Sequence, residues 1–408
     1  VSSDVRRDLL QIYQGALKAV DGHTCVRRAL HGRCKVPTSL VAIGKAAQAM
    51  TLGAVDALGD GVVDGLVISK QGHLDRFSLE QAGLQGMEGG HPLPDENSLA
   101  AGQALLAFLK RQPKDVSLLF LISGGASSLV EVLRDDIGLE DLQDVNRWLL
   151  GSGLPIQQIN LVRKALSVIK GGGLLTFLGQ HRAEALLISD VEGDDPSVIG
   201  SGLLVSDPLL ERKIAALSLP AWLTALTGRG CAPIEAGEDR VPLKVIANLE
   251  MACCAAERVA QQLGYPVVRH KMFLSGDAER RGHELGQVLL EEKPGVHIWG
   301  GETTVRLPDQ PGRGGRNQHL ALAAAMEIAG HKGVYLLAVG TDGTDGNTED
   351  AGALVDGETL TRAANEGLDA GEYLCRADAG TLFSVTGDLI NTGPTNTNVM
   401  DLVIGIKR

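Results

Sequence analysis

Aromatic residues are scarce: Phe, Trp and Tyr together make up 3% of the 408 residues. Few aromatics among 52 glycines favour loops built by glycine over surfaces that stack nucleobases. Positive charge is short as well. Against 50 Asp and Glu stand 38 Lys and Arg, for a net charge of −12. That balance excludes the broad basic footprint that nucleic acid or an anionic membrane requires. Any phosphate site must then be local, made of a few cations and backbone N–H groups. The six cysteines, Cys25, Cys34, Cys231, Cys253, Cys254 and Cys375, form no C-x-x-C pair. Their scatter points to neither a zinc site nor a disulfide framework, and predicts reduced buried thiols in a cytosolic protein. No apolar run approaches the ~20 residues that span a bilayer. The first residues start an amphipathic helix and lack the apolar stretch of a signal peptide. The expectation is a soluble cytoplasmic protein with no nucleic-acid and no membrane partner.

Several catalytic fingerprints are missing too. No strand is followed by G-x-G-x-x-G with an acidic residue ~20 positions on, which weighs against a nicotinamide enzyme. The protein-kinase H-R-D and D-F-G sets are absent. A Walker A loop would need Gly at position 39 and Ser or Thr at 46, where Ser39 and Ala46 stand. The G-x-S-x-G elbow of serine hydrolases does not occur around Ser123–Ser128.

What is present is an ordinary globular balance, 44% hydrophobic and 22% charged, in a chain long enough for two domains. Val5, Leu9, Ile12, Ala16 and Leu17 recur at helical spacing. Short apolar strands then alternate with helices. Strands are predicted at 39–44, 62–69, 116–122 and 183–188, with helices at 45–58 and 97–111. After an irregular Pro- and Gly-rich segment at 207–241, expected to be an inter-domain crossing with some helix, strands follow at 243–247, 267–272, 296–299, 334–339 and 399–406. Helices are predicted at 251–263, 279–292 and 318–329. This alternation implies a mainly parallel sheet covered on both faces, with ligands at the carboxyl ends of its strands.

Glycines and polar residues collect at those ends. Lys45 lies where a strand turns into a helix, and Arg316 follows a glycine-rich loop at another helix start. The helix dipole disfavours a cation there, and a bound anion would reverse the penalty. Arg also suits forked contacts with phosphate or carboxylate. The loop Ser123-Gly124-Gly125-Ala126-Ser127-Ser128 follows a buried strand. Its glycines let backbone approach an anion and its hydroxyls can bond phosphate oxygens, although Ser127 also suits a helix cap. Carboxylates cluster at Asp190–Asp195 and at Asp342–Asp350, and Glu302 follows two glycines within a predicted hairpin region. Such carboxylates can bind Mg2+ with phosphates, accept a proton, or simply cap turns.

Taken in order, these segments resemble the glycerate 2-kinase family whose C-terminal part is the MOFRL domain. The pieces are IGKAA (43–47), GHPLPDENS (90–98), SGGAS (123–127), NLVRKALSVIKGGGL (160–174), SDVEGDDP (189–196), GGETTV (300–305), GGRNQ (314–318), TDGTDG (341–346) and TNVMDL (397–402). They cover nearly the whole chain. The resemblance implies two unequal three-layer α/β/α domains, an N-terminal Rossmann-like one with a mainly parallel sheet and a C-terminal mixed-sheet one. The expected division is 1–235 and 236–408, with the MOFRL region at about 293–403. It also implies an active site in the cleft between the domains, and transfer of the ATP γ-phosphoryl group to the 2-hydroxyl of D-glycerate with Mg2+. Lys45 and Arg316 are then expected to clamp the phosphoryl group. The Ser123–Ser128 loop is expected to bind phosphate or the glycerate carboxylate, and Asp190, Glu302, Asp342 and Asp345 to bind Mg2+ or activate the hydroxyl. The partners implied are D-glycerate and ATP; the oligomeric state is left open, with a homodimer as the candidate. Two departures stand out: His319 where relatives usually carry an acid, and Gly202-Leu203-Leu204 in place of Gly-Pro-Thr. Hydroxypyruvate reductase and a non-catalytic sugar-acid-binding protein are the alternatives.

Overall fold

The computed structural model describes residues 3–152, 154–228 and 241–408. It divides into two compact units, one of Gly22–Ile246 and one of Val1–Asp21 with Ala247–Arg408. Both are α/β.

The first unit is built on six strands: β1 Thr38–Ile43, β2 Val62–Lys70, β3 Gln85–Gly89, β4 Ser117–Ile122, β5 Ala183–Ile188 and β6 Leu243–Ala247. Their order in the sheet is β3-β2-β1-β4-β5-β6. β1 pairs in parallel with β2 and β4, β2 with β3, and β4 with β5. Runs such as SLLFLI in β4 are apolar at nearly every position because both faces are covered. Val41, Ile43, Leu66, Phe120 and Leu187 meet Leu105 and Phe108 of the helix Glu96–Arg111 in one core. Each such side chain, fully buried, contributes about 1.5–3 kcal/mol. That helix starts in a capping box: Asp95 accepts from the Ser98 amide while the Ser98 hydroxyl bonds the Asp95 amide. A satellite core of Val145, Leu149, Val162, Leu166 and Leu223 joins three further helices. The chain runs outward in opposite directions from β1 and β4, so the turns after these two strands flank the topological switch point, where such sheets open a crevice.

The second unit carries a mixed sheet. Its strands are β7 Val267–Arg269, β8 Leu274–Asp277, β9 Gly295–Thr304, β10 Val334–Gly340, β11 Gly352–Asp356, β12 Leu389–Ile390 and β13 Asp401–Lys407. The order is β12-β11-β10-β13-β9-β7, with β8 also beside β9. β13 runs antiparallel between β10 and β9, while β7 and β8 pair in parallel with β9. Helices cover both faces. A Cβ on Gly300 would meet Leu249 and Cys253 of the helix Leu249–Gln262 on one face, and a Cβ on Gly405 would meet Leu289 of the helix Ala278–Glu291 on the other. The N-terminal helix Ser3–Ala19 packs on Leu249–Gln262. It comes so close that a Cβ on Gly15 would lie 2.5 Å from Val259 Cγ2.

Several sequence expectations change here. Residues 1–21 join the second unit, because the apolar face Val5, Leu9, Ile12 and Ala16 is fully buried there. Residues 241–246 stay with the first, because β6 extends the parallel sheet and Ala185 donates to the Pro242 carbonyl at 2.9 Å. The expected boundary at 235/236 lies outside the described residues. No hairpin forms between Gly300 and Gln318: β9 takes all its partners from β7, β8 and β13. The 207–241 segment contains some helix as expected, Leu210–Ala215 and Ala221–Thr227, but its described residues belong to the first unit and do not cross between units. The strands β3, β8, β11 and β12 were not anticipated. Cys25 and Cys253 are buried as expected, but Cys34 and Cys375 are exposed; Cys231 lies outside the described residues. Among the described residues, no helix is long and apolar enough to cross a membrane.

Candidate active site

In the first unit, the turns after β1 and β4 are joined. The Lys45 amide donates to the Gly124 carbonyl at 2.9 Å, and the Ala46 amide to Ser123 Oγ at 3.0 Å. Gly44, at φ +132°, allows this approach, since a Cβ there would overlap Ser123 Oγ at 2.1 Å. Beyond it, Gly125 adopts φ +86°, and its Cβ position lies 3.4 Å from Lys45 Cγ and 3.3 Å from the His91 ring. The Lys45 stem and the His91 imidazole thus lie over the glycine loop at the switch point.

The hydroxyls of this loop have distinct tasks. Buried Ser123 serves the turn, as above. Ser128 donates to the Gly125 carbonyl at 3.2 Å. Half-buried Ser127 shares a 2.6 Å hydrogen bond with Ser201. The expected helix after the loop is only Ala126–Leu129, one turn, so it offers little dipole to an anion. Ala126 is buried against Gly200. Asp190 follows β5 at the carboxyl edge of the same sheet, and Asp195 caps its own turn by accepting from the Ser197 amide at 2.8 Å.

In the second unit, register gathers the charged groups. Asp401 lies opposite Gly301 on one side and Gly340 on the other, so Glu302, Asp401 and Thr341-Asp342 collect at one end of three adjacent strands. Arg316 opens the helix Arg316–Glu327. Its guanidinium grips Asp401 with a fork, Nε to Oδ2 at 2.5 Å and Nη2 to Oδ1 at 2.9 Å, and reaches Glu302 at 3.0 Å. Burial opposes this charge, but Asp401 and then Glu302 outweigh it and hold the guanidinium above its ordinary range.

The anion that this helix start was expected to attract is supplied by the chain itself. Asp345 accepts from the Gln318 amide at 2.8 Å and from the Asn317 amide at 3.0 Å. Burial pushes its carboxyl up to about 7, against the pull of those two amides. Asp342 accepts from the Thr344 amide at 3.1 Å. The 341–346 loop packs on the segment 391–400: Thr341 donates to the Met400 carbonyl at 2.6 Å, and Thr395 donates to the Thr341 carbonyl. Tyr13, from the N-terminal helix, donates to the Gly340 carbonyl at 2.6 Å. Burial, Asp342 and Asp401 together raise its phenol above the ordinary range.

The structure therefore groups Lys45 with the Ser123–Ser128 loop in one unit, and Arg316 with Glu302, Asp342 and Asp345 in the other. Asp190 lies in the first unit, after β5. Among the described residues, no three His, Cys, Asp or Glu side chains are grouped to hold a metal. Sequence reasoning missed Asp401, His91, Tyr13 and Ser201. The signals for the first two were in hand, in TNVMDL and GHPLPDENS, but no side chain there stood out as chemically unusual.

Comparison with known proteins adds the following. Residues 8–219 match the model of a domain of unknown function, DUF4147, and residues 295–401 match the MOFRL family. The chain is 34% identical to the D-glycerate 2-kinase of Thermotoga maritima, with 97% of each chain covered. It is 33% identical to the glycerate kinase of Homo sapiens, covering 89% of this chain and 83% of that one. It is also 34% identical to a putative hydroxypyruvate reductase of Agrobacterium vitis, over 97% of this chain and 93% of that one. The crystal structure of glycerate kinase from Thermotoga maritima superimposes with a TM-score of 0.84 at 32% identity, covering 99% of this chain and 100% of that one.

Proposed function

Because the chain belongs to the glycerate 2-kinase family with a C-terminal MOFRL domain, we propose that it transfers the γ-phosphoryl group of ATP to the 2-hydroxyl of D-glycerate, giving 2-phosphoglycerate and ADP. The observation that carries this reading is similarity along the whole chain to D-glycerate 2-kinase, in sequence and in fold. In the reaction the 2-hydroxyl oxygen attacks the γ-phosphorus and the bond to the β,γ-bridging oxygen breaks. The hydroxyl proton leaves to a carboxylate or to water. Such a transfer needs positioning and charge neutralisation more than covalent help.

Lys45, over the glycine loop, brings one positive charge to a turn whose backbone suits the approach of a phosphate or carboxylate. Arg316 brings a planar fork suited to phosphoryl oxygens. That fork is held by Asp401, so the guanidinium is already oriented and kept charged. Asp190 and Asp342 are the carboxylates assigned to Mg2+ or to the hydroxyl proton. Asp345 and Glu302 fit that assignment less well, since Asp345 accepts from the amides of the helix start and Glu302 pairs with Arg316. The donor set suits Mg2+, which takes one or two carboxylates plus substrate phosphates and water, not an all-protein cage. When bound with ATP, Mg2+ would neutralise charge on the β- and γ-phosphates.

The oxidoreductase reading finds less support. The order of the first sheet matches dinucleotide-binding folds, but the turn after β1 reads Gly44-Lys45-Ala46 and lacks their second and third glycines. Incubation with D-glycerate, ATP and Mg2+ tests the proposal: ADP and a phosphoglycerate should form together. NADH oxidation by hydroxypyruvate, with no ATP-dependent product, would overturn it.

A further inference from the structure

The turn at Gly200–Gly202 runs through three consecutive residues in the left-handed region, at φ +57°, +59° and +65°. Glycine carries no steric penalty there, whereas the middle residue, Ser201, does. The flanking glycines are required by space as well. A Cβ on Gly200 would press on Ile122 Cγ2 at 3.2 Å and Ala126 Cβ at 3.3 Å, and one on Gly202 would lie 2.6 Å from the Ser197 carbonyl oxygen. A third glycine at 201 would cost the backbone least. Its hydrogen bonds would survive too, because they are main-chain: the Ser201 amide donates to the Val198 carbonyl at 2.9 Å, and its carbonyl accepts from the Gly171 amide at 3.0 Å.

What serine adds at this position is one buried hydroxyl, and that hydroxyl lies 2.6 Å from Ser127 Oγ. Ser127 belongs to the glycine loop beside Lys45. Local strain that is retained for a single side-chain bond onto a ligand loop points to function.

We propose that Ser201 is a positioning residue for phosphoryl transfer. Its hydroxyl donates to Ser127 Oγ, fixes the Ser127 rotamer, and leaves the Ser127 proton to be donated to an anionic oxygen of the bound substrates. Ser201 does not touch substrate; it acts through Ser127. This inference rests on the reading of the Ser123–Ser128 loop as an anion-binding loop.

The test combines thermal melting with steady-state kinetics for ATP and D-glycerate in four variants: Ser201→Gly, Ser201→Ala, Ser127→Ala and the double variant Ser127→Ala/Ser201→Gly. Ser201→Gly should raise Tm by about 2–4 °C, because the strain is relieved. It should also lose about 3–10-fold in kcat/KM, the scale of one hydrogen bond. Ser201→Ala should lose the same activity without the Tm gain. The double variant should be no worse than Ser127→Ala. Unchanged kinetics in Ser201→Gly alongside an impaired Ser127→Ala would overturn the positioning role, and a fall in its Tm would overturn the strain argument. Unchanged kinetics in Ser127→Ala would instead remove the anion-loop reading on which the proposal stands.

Discussion

At the scale of single residues, Lys45 and Arg316 differ in a way that their sequence contexts hide. Both are cations beside a helix start, and that much was legible from glycine, charge and periodicity. Lys45 sits in a turn held by main-chain amides, so Lys45→Ala should leave Tm nearly unchanged while kcat falls ~10³-fold, the lower range for loss of a phosphoryl clamp. Near-normal turnover would contradict the role. Arg316 has a second role that its sequence context does not show. Its fork on Asp401, 85 residues away in the chain, makes it structural as well. No local pattern predicts a partner at that distance; only the β9–β13–β10 register brings it there. Arg316→Ala should therefore lose both activity and about 3 kcal/mol of stability, because a buried carboxylate is left uncompensated. Arg316→Lys, which keeps charge but not the fork, should regain stability more than rate. Chemical denaturation together with initial rates separates the two effects. His319 gives a pH signature. Burial lowers its pKa, opposed by the nearby Glu279 and Asp277. The folded protein thus holds it neutral where the unfolded chain takes up a proton, so its contribution is intact above an ordinary histidine pKa of about 6.5 and is lost as pH falls below it. His319→Gln should flatten the fall in Tm between about pH 7 and pH 5; an unaltered slope would refute this.

Among elements, the N-terminal helix shows what periodicity can and cannot reveal. The spacing of Val5, Leu9, Ile12 and Ala16 predicts a helix with one buried face, and that face is buried. The pattern is silent on what covers it, because an apolar stripe fits any apolar partner. Gly15 records the answer: it lets this helix meet Leu249–Gln262 within reach of Val259. Gly15→Val should force that crossing apart and cost about 1–3 kcal/mol by overpacking. Equilibrium unfolding reads the loss, and a variant as stable as the parent would contradict the contact. The short elements were hidden for a different reason. β12 has two residues, β8 reads LSGD and β3 reads QGMEG, so they carry too little apolar pattern to stand out. The polar loops at 340–352 and 391–398 were visible as loops. That they pack on each other follows from the Thr395 hydroxyl bonding the Thr341 carbonyl, which sequence spacing does not encode.

For the molecule as a whole, the division into units follows burial and not chain order. The alternation of strands and helices made the α/β class readable, and the all-apolar strands made the parallel sheet readable. The crossing of residues 1–21 into the second unit was not, since it depends on a docking surface assembled from residues 247–408. Residues 22–246, which hold a complete sheet, should fold cooperatively when produced alone. Residues 247–408 alone should not, and should gain a cooperative melt by circular dichroism when residues 1–21 are fused or added. An equally cooperative melt without them would show that the helix is dispensable. The activity that this arrangement serves is transfer of a phosphoryl group onto D-glycerate. Its most direct measurement is the product of an incubation with D-glycerate, Mg2+ and ATP labelled at the γ-phosphate, resolved by phosphorus NMR. Label should appear in 2-phosphoglycerate in step with ADP, and about 10³-fold more slowly with Lys45→Ala; label only in 3-phosphoglycerate, or in inorganic phosphate with glycerate unchanged, would rule out transfer to the 2-hydroxyl.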